Sequence, residues 1–441
     1  MNRPTLALSL AVLALGAVGE GDPRDVAVPR AGLLPPGARS FLARREAAVY
    51  ALASRDGDIV GRTVDGAGFT LRGSARGPGC VRLFVAVGDG RWVCGDDGVL
   101  RPEVMIPRPY AVPRTADALP WGYAFTTEDG TRVFPSAAAA LAGEGSVAET
   151  WEAHWAFAVR SVVERGNGRA LETLDGRWLR RGDVFRAEPS GYTGGTFAEL
   201  SAGGTVPFGW VVSPSGARTW RSPEAGAHAA PGDEGEGRLA RLTPVRLLAS
   251  RRAGGSEWAR VDGGLWVSAA SLRVFTPEGA PAEVDVAAHE RWIDVDLGQQ
   301  VLAAYEGAVP VYATLVSTGG PGAETRPGVW RIWGKYAVRT MDNTENGSRT
   351  GHYRLGDVPY VQFFDQDRGL HGVYWHEDFG NPRSHGCVNL APRDAAWLFG
   401  WTTPSLPDGW QSVATAVTAV TGTVGDRGTV VRVRGVTPAR E

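Results

Sequence analysis

The chain has 441 residues, too many for one ordinary domain; length alone suggests roughly three. Hydrophobic residues at 43% and charged residues at 21% are globular values, which exclude a disordered or collagen-like chain. A formal net charge of −2 lacks the basic footprint of a nucleic-acid binder, so no nucleic-acid partner is expected.

The first element is an export signal. Met1-Asn2-Arg3 gives a positive start, Leu6 to Val18 is an apolar run, and Ala17-Val18-Gly19 has the small-x-small pattern of a cleavage site. The run is short for a bilayer span, so residues 1–19 read as a signal peptide, with a membrane anchor as the other reading. The mature chain is therefore expected to be periplasmic or extracellular. Cys80 and Cys94 flank the apolar run Val81 to Val87 and the turn Gly88-Asp89-Gly90. In an oxidising compartment a disulfide across that hairpin is expected. Cys387 is then the odd thiol, and an unpaired cysteine in a secreted protein calls for an explanation.

Next comes a faint repeat. Asp89-Gly90-Arg91-Trp92-Val93 returns as Asp175-Gly176-Arg177-Trp178-Leu179 and, more loosely, as Gly263-Gly264-Leu265-Trp266-Val267, with steps of 86 and 88 between the Trp residues. Leu119-Pro120-Trp121-Gly122-Tyr123 likewise resembles Val206-Pro207-Phe208-Gly209-Trp210. Gly-containing turns between short alternating runs predict small antiparallel sheets. These units resemble bacterial SH3-like barrels, with boundaries at 41–110 (bearing the disulfide), 118–190 and 206–276. Their Trp residues read first as core and second as a platform for glycan or peptide. Pro223 to Gly237 and Thr276 to Pro281 read as exposed loops.

From residue 288 to 436 the pattern changes. Trp292-Ile293-Asp294-Val295-Asp296-Leu297 alternates with period two, and Val301 to Tyr305 and Val309 to Val316 continue as strands, Pro310 marking an edge or a strand start. Pro392 to Phe399 is the best candidate helix, and Thr429 to Val433 alternates again and closes the sheet. The expected class is mainly β throughout.

Chemistry concentrates in His371-Gly372, eleven residues, and Ser384-His385-Gly386-Cys387-Val388-Asn389. A nucleophilic thiol needs a base or a cationic neighbour, and two imidazoles are close in sequence. Gly386 permits a tight backbone whose N–H groups converge on one point, the requirement for holding an oxyanion. Were the segment an extended strand, His385 and Cys387 would share a face; His371 would join them from a neighbouring strand. Spacing alone leaves the base open between His371 and His385. A rival set, His371, His376, His385 and Cys387, has four zinc-ligating side chains. The five-residue step from His371 to His376 lacks the H-E-x-x-H pattern, so neither a metal nor a cofactor is expected.

The string SHGCVN with its upstream HG resembles the signature of the L,D-transpeptidase catalytic domain. Ile293-Asp294-Val295 to Tyr305, Pro327-Gly328-Val329-Trp330-Arg331-Ile332 and Met341-Asp342 are similar to further segments of that family, so the resemblance spans about Ala288 to Gly435. It implies a β-sandwich in which Cys387 attacks the L-centre carbonyl of the third stem residue of peptidoglycan, usually diaminopimelate. D-Ala is expelled and a thioester remains. It makes His371 the base, its ring oriented by the Gly372 carbonyl, and draws the oxyanion hole from His385, Gly386 and Cys387. Ser384 would position the turn and, with Asn389 and Trp375, the substrate. Asn389 stands where many members carry Arg, which bears on donor recognition. The acceptor implied is an amine of a second stem peptide or of a wall-anchored protein; water would make the enzyme a carboxypeptidase. A non-catalytic wall-binding protein is the remaining reading. Carbapenems commonly acylate this cysteine in the family.

Overall fold

A computed structural model describes residues 26–88, 90–104, 119–203, 207–230, 232–233, 235–342, 353–415 and 427–438. The signal segment 1–19, Asp89, Val206 and residues 416–426 lie outside them. The described chain is mainly β, and among the described residues no helix is long and apolar enough to cross a membrane. It divides into two compact units, the first made of residues up to Asp58 and Thr63–Pro107, the second of Ile59–Arg62 and everything from Arg108 onward.

In the first unit Ser40–Ala43 lies between Gly68–Thr70 and Gly98–Arg101, burying Phe41, Phe69 and Leu100. Phe84–Gly88 and Arg91–Cys94 form a hairpin in which Phe84 faces Cys94. Cys80 is bonded to Cys94. The pairing expected from the sequence is thus formed, with Cys80 in the loop ahead of the strand: the strand starts only at Phe84 and Val81 is 64% exposed, so the bond ties that loop down. Closing a loop with 14 residues of separation stabilises by about 3 kcal/mol through the unfolded state. Replacing both Cys80 and Cys94 with alanine is accordingly expected to lower this unit's unfolding free energy by about that amount in denaturant titrations.

In the second unit the repeat proves architectural. Gly122–Thr126 pairs with Ala156–Arg165 and Val184–Arg186, just as Phe208–Val211 pairs with Pro244–Ala253 and Leu272–Val274. Each copy adds a two-stranded flap, a short helix with a Ser N-cap (Ser136 or Ser222), and a long hairpin ending in a Trp-bearing strand. Even the register shift in the long strand recurs, at Val159/Ser161 and at Leu247/Ala249.

The last part is a two-sheet sandwich. One sheet runs, in order, Gly195–Thr196, Val309–Leu315, Val301–Glu306, Arg291–Asp296, Val430–Arg434, Gly328–Arg331. Val430–Arg434 closes it in parallel with Arg291–Asp296. The other contains Gly334–Asp342, Arg354–Asp365, Arg368–Gly372 and Val388–Leu390. Ile293, Val295 and Leu302 meet Phe364, Leu370, Leu390 and Leu398 between the layers. Trp292, Ala303 and Tyr305 pack on the other face against Phe208, Trp210 and Phe275 of the second repeat copy. The first sheet is thus covered on both sides, which explains the unbroken apolar run Val301 to Tyr305. Asp294, 3% exposed, is tolerated on this sheet because Arg432 Nε at 2.6 Å and Arg434 Nε at 2.8 Å neutralise it.

The predicted helix forms over Pro392–Trp401, with Pro at its first turn where the missing N–H costs nothing. Its N-terminal end is fixed by buried Asp394, which accepts from Gly194 N (2.9 Å), Thr193 Oγ1 (2.8 Å) and Tyr312 OH (2.8 Å). Buried Lys335 caps the other end, donating to Phe399 O (2.5 Å) and Thr402 O (3.0 Å). This helix packs on the strands that carry the chemistry.

Candidate active site

The site is built on three consecutive pieces of the second sheet. Arg354–Asp365 turns tightly into Arg368–Gly372, which delivers His371. The chain then crosses over and returns as Val388–Leu390 in parallel, with Leu370 opposite Val388 and His371 opposite Asn389. Cys387 immediately precedes that strand and therefore comes to rest beside the hairpin tip. The crossover is pinned: Gly380 N donates to Val316 O (2.9 Å), Arg383 N and Ser384 N both donate to Thr318 O (2.8 and 3.0 Å), and Asn389 exchanges two backbone bonds with Ser317.

Residues 384–387 form a turn, not an extended strand, so His385 and Cys387 do not share a face as strand geometry would have required. Ser384 holds the turn closed: its Oγ accepts from Gly386 N (3.2 Å) and donates to Cys387 O. Gly386 adopts φ +115°, a conformation glycine tolerates best. Its N–H is engaged by Ser384, which leaves the His385 and Cys387 N–H groups as the candidate oxyanion donors. The imidazole of His385 is exposed and stacks on Tyr353, ring centroids 5.3 Å apart.

His371 is buried, 3% exposed, and its Nδ1 lies 3.1 Å from the Gly372 carbonyl. A carbonyl can only accept, so the proton sits on Nδ1 and Nε2 carries the free lone pair. Burial pushes the imidazole down to about 4, the Gly372 bond opposing this in part. Trp375 covers the ring at 5.9 Å between centroids. Cys387 is half-buried, the one free cysteine. Its Sγ faces the Asp367 carbonyl at 3.9 Å rather than His371, and burial pushes the thiol up to about 11 despite a hydrogen bond from the Gly369 N–H. Burial thus favours the neutral form of both thiol and imidazole.

His371, Cys387, Ser384, His385, Asn389 and Trp375 all line one open pocket of about 790 Å³. Phe125 and His154 form part of its wall. They come from the first repeat copy of this unit, which is anchored here by stacked Tyr123 and Tyr374 (3.9 Å) and by Ala158 N donating to Asp357 Oδ2 (3.2 Å). No periodicity in the sequence connects residues 125 and 154 with 387; only the fold does.

His376 is not a metal-ligand candidate here, because both ring nitrogens are occupied. Nδ1 accepts from Asp378 N (3.1 Å), and Nε2 lies 2.9 Å from the Asn389 amide. Since Nδ1 accepts, the neutral ring must carry its proton on Nε2; burial, aided by Arg383, pushes it down to about 3 and keeps it neutral. Nε2–H then needs an acceptor, which Asn389 supplies when its amide is turned so that Oδ1 rather than Nδ2 faces the ring. With Nδ2 facing the ring, Asn389 Oδ1 is buried with no partner. Asn389→Ala strands the His376 N–H, an expected loss of about 1–3 kcal/mol in unfolding free energy. Adding His376→Phe removes the orphan, so the double variant should lose less than the sum of the two single ones.

Residues 290–433 match the family model described as YkuD, the L,D-transpeptidase catalytic domain. Residues 290–433 form a domain of the L,D-transpeptidase catalytic family. No curated protein matches the chain. Solved structures of L,D-transpeptidases do. One from Enterococcus faecium is 24% identical, covering 33% of this chain and 50% of its own, with a TM-score of 0.25. One from Stackebrandtia nassauensis is 27% identical, covering 37% and 62%, with a TM-score of 0.24. L,D-transpeptidase 3 from Mycobacterium tuberculosis, solved with a faropenem-derived adduct, is 16% identical, covering 42% and 77%, with a TM-score of 0.26. The chain spans 50% and 62% of the length of the first two, and superpositions this partial carry no functional weight. Within the L,D-transpeptidase domain, the matched segment contains every residue the SHGCVN motif singled out.

Proposed function

We propose that this chain is an exported L,D-transpeptidase of peptidoglycan with Cys387 as nucleophile and His371 as base. The observation that carries the reading is a free thiol and a neutral imidazole delivered by adjacent parallel strands into one pocket, with the imidazole's tautomer fixed by Gly372. In the acylation step His371 Nε2 takes the thiol proton as sulfur attacks the carbonyl between diaminopimelate and D-Ala. The His385 and Cys387 N–H groups receive the oxyanion. Collapse breaks the C–N bond, the imidazolium returns its proton to the departing D-Ala amine, and a thioester remains on Cys387. In deacylation an amine of a second stem peptide, or of a wall-anchored protein, attacks the thioester. His371 removes the amine's proton and returns it to sulfur as the new amide forms.

Export rests on the charged start and apolar run of residues 1–19, and the Trp-bearing repeat units are read as SH3-like modules. Incubation with a disaccharide-tetrapeptide followed by mass spectrometry tests the reading. A cross-linked dimer lacking one D-Ala is expected. Tripeptide alone means that water is the acceptor, making the enzyme an L,D-carboxypeptidase. No D-Ala release, together with no carbapenem adduct on Cys387, defeats the proposal.

A further inference from the structure

Burial raises the free energy of a thiolate at Cys387, and neutral His371 supplies no positive charge to offset it. The nearest cation on the hairpin is Arg368, three residues before His371 in the strand Arg368–Gly372. Its side chain lies directly against the nucleophile's turn: a Cβ on Gly386 would meet Arg368 Nε at 3.1 Å, so only glycine lets the guanidinium approach this closely. Buried Asp365, 5% exposed, holds the far end, with Nη1 to Oδ2 at 3.4 Å. Arg326 shares that carboxylate at 3.8 Å, so Asp365 does not by itself cancel both cations. Arg368 Nε is buried and has no hydrogen-bond acceptor. A desolvated, anchored N–H with no partner is costly and calls for an explanation, a catalytic role among them. Among the groups facing the sulfur, Asp367 opposes the thiolate and Arg368 favours it.

We infer that Arg368 is a positioning residue for Cys387: its guanidinium, anchored by Asp365 and pressed against Gly386, provides the fixed positive charge that stabilises the anionic sulfur. This rests on Cys387 being the nucleophile, but not on the identity of the substrate. Arg368 comes to lie beside this turn because its strand runs parallel to the one that follows Cys387.

Alkylation by iodoacetamide, followed by mass spectrometry of the full chain, tests this without any stem peptide; Cys387 is the one free thiol, and Cys387→Ser is the blank. Arg368→Met keeps most of the volume and removes the charge; Arg368→Lys keeps the charge and loses the fork. Losing a nearby cation raises a thiol by about one unit, a tenfold loss of thiolate at a given pH. The stronger nucleophilicity of the more basic sulfur returns part of that, for a net slowing of about threefold. The expected order is wild type, then Lys, then Met, with circular dichroism unchanged. Met alkylating as fast as wild type, or Lys no faster than Met, overturns the inference. Absence of D-Ala release by the wild-type enzyme would defeat the transpeptidase reading and leave this ordering untouched.

Discussion

Cys387→Ser is expected to reduce D-Ala release by at least about three orders of magnitude while leaving the fold intact. The substitution is nearly isosteric at a half-buried position, and the turn is held by Ser384 Oγ and the Gly386 backbone, neither of which it touches. What changes is the acid. His371, held down to about 4 by burial, is a weak base, adequate for a thiol whose anion is intrinsically stable but poor for a hydroxyl. Single-turnover release of D-Ala, with circular dichroism as the folding control, reads the effect. A serine variant within tenfold of wild type would mean that sulfur is not the attacking atom.

Much of this site was legible because its residues are close in sequence and chemically unusual. Cys387 is the thiol left over once Cys80 and Cys94 pair, and the SHGCVN string around it resembles a family signature that needs no geometry to read. The two copies in the second unit were legible for a related reason: each carries a Gly-containing turn just ahead of Trp178 or Trp266. Other features depended on register. Trp292 to Leu297 alternates as if one face met water, yet both faces are buried, because the second repeat copy covers the side that Asp294 occupies. Sequence offered His376 only as a zinc ligand, whereas the crossover makes it the partner of Asn389. Arg368, Phe125 and His154 carry no motif at all. They reach the pocket through a parallel strand pairing and through an inter-repeat packing of Tyr123 on Tyr374, and no local pattern encodes either.

The pH dependence of kcat/KM provides the second large effect. The reactive form pairs a protonated thiol with a neutral imidazole. Burial favours that form across a wide window, since it pushes the thiol up to about 11 and His371 down to about 4. A broad plateau is therefore expected, with its acid limb near pH 4. A resting imidazolium–thiolate pair would instead raise the imidazole and lower the thiol, so its alkaline limb would be loss of the imidazolium proton, far below the thiol's value of about 11. His371→Gln should lose about two to four orders of magnitude and abolish that limb. Folding contributes on the same side and must be separated. Because His371 and His376 are both depressed, the unfolded chain binds more protons than the native one from about pH 6.5 down to their native values of about 4 and about 3. Stability therefore falls as the pH is lowered through that window. Circular dichroism at each pH distinguishes the two. Activity lost near pH 4 while the signal persists is titration of the base, and an alkaline limb at about pH 8 in a folded protein, where a paired imidazolium loses its proton, would overturn the neutral-pair mechanism.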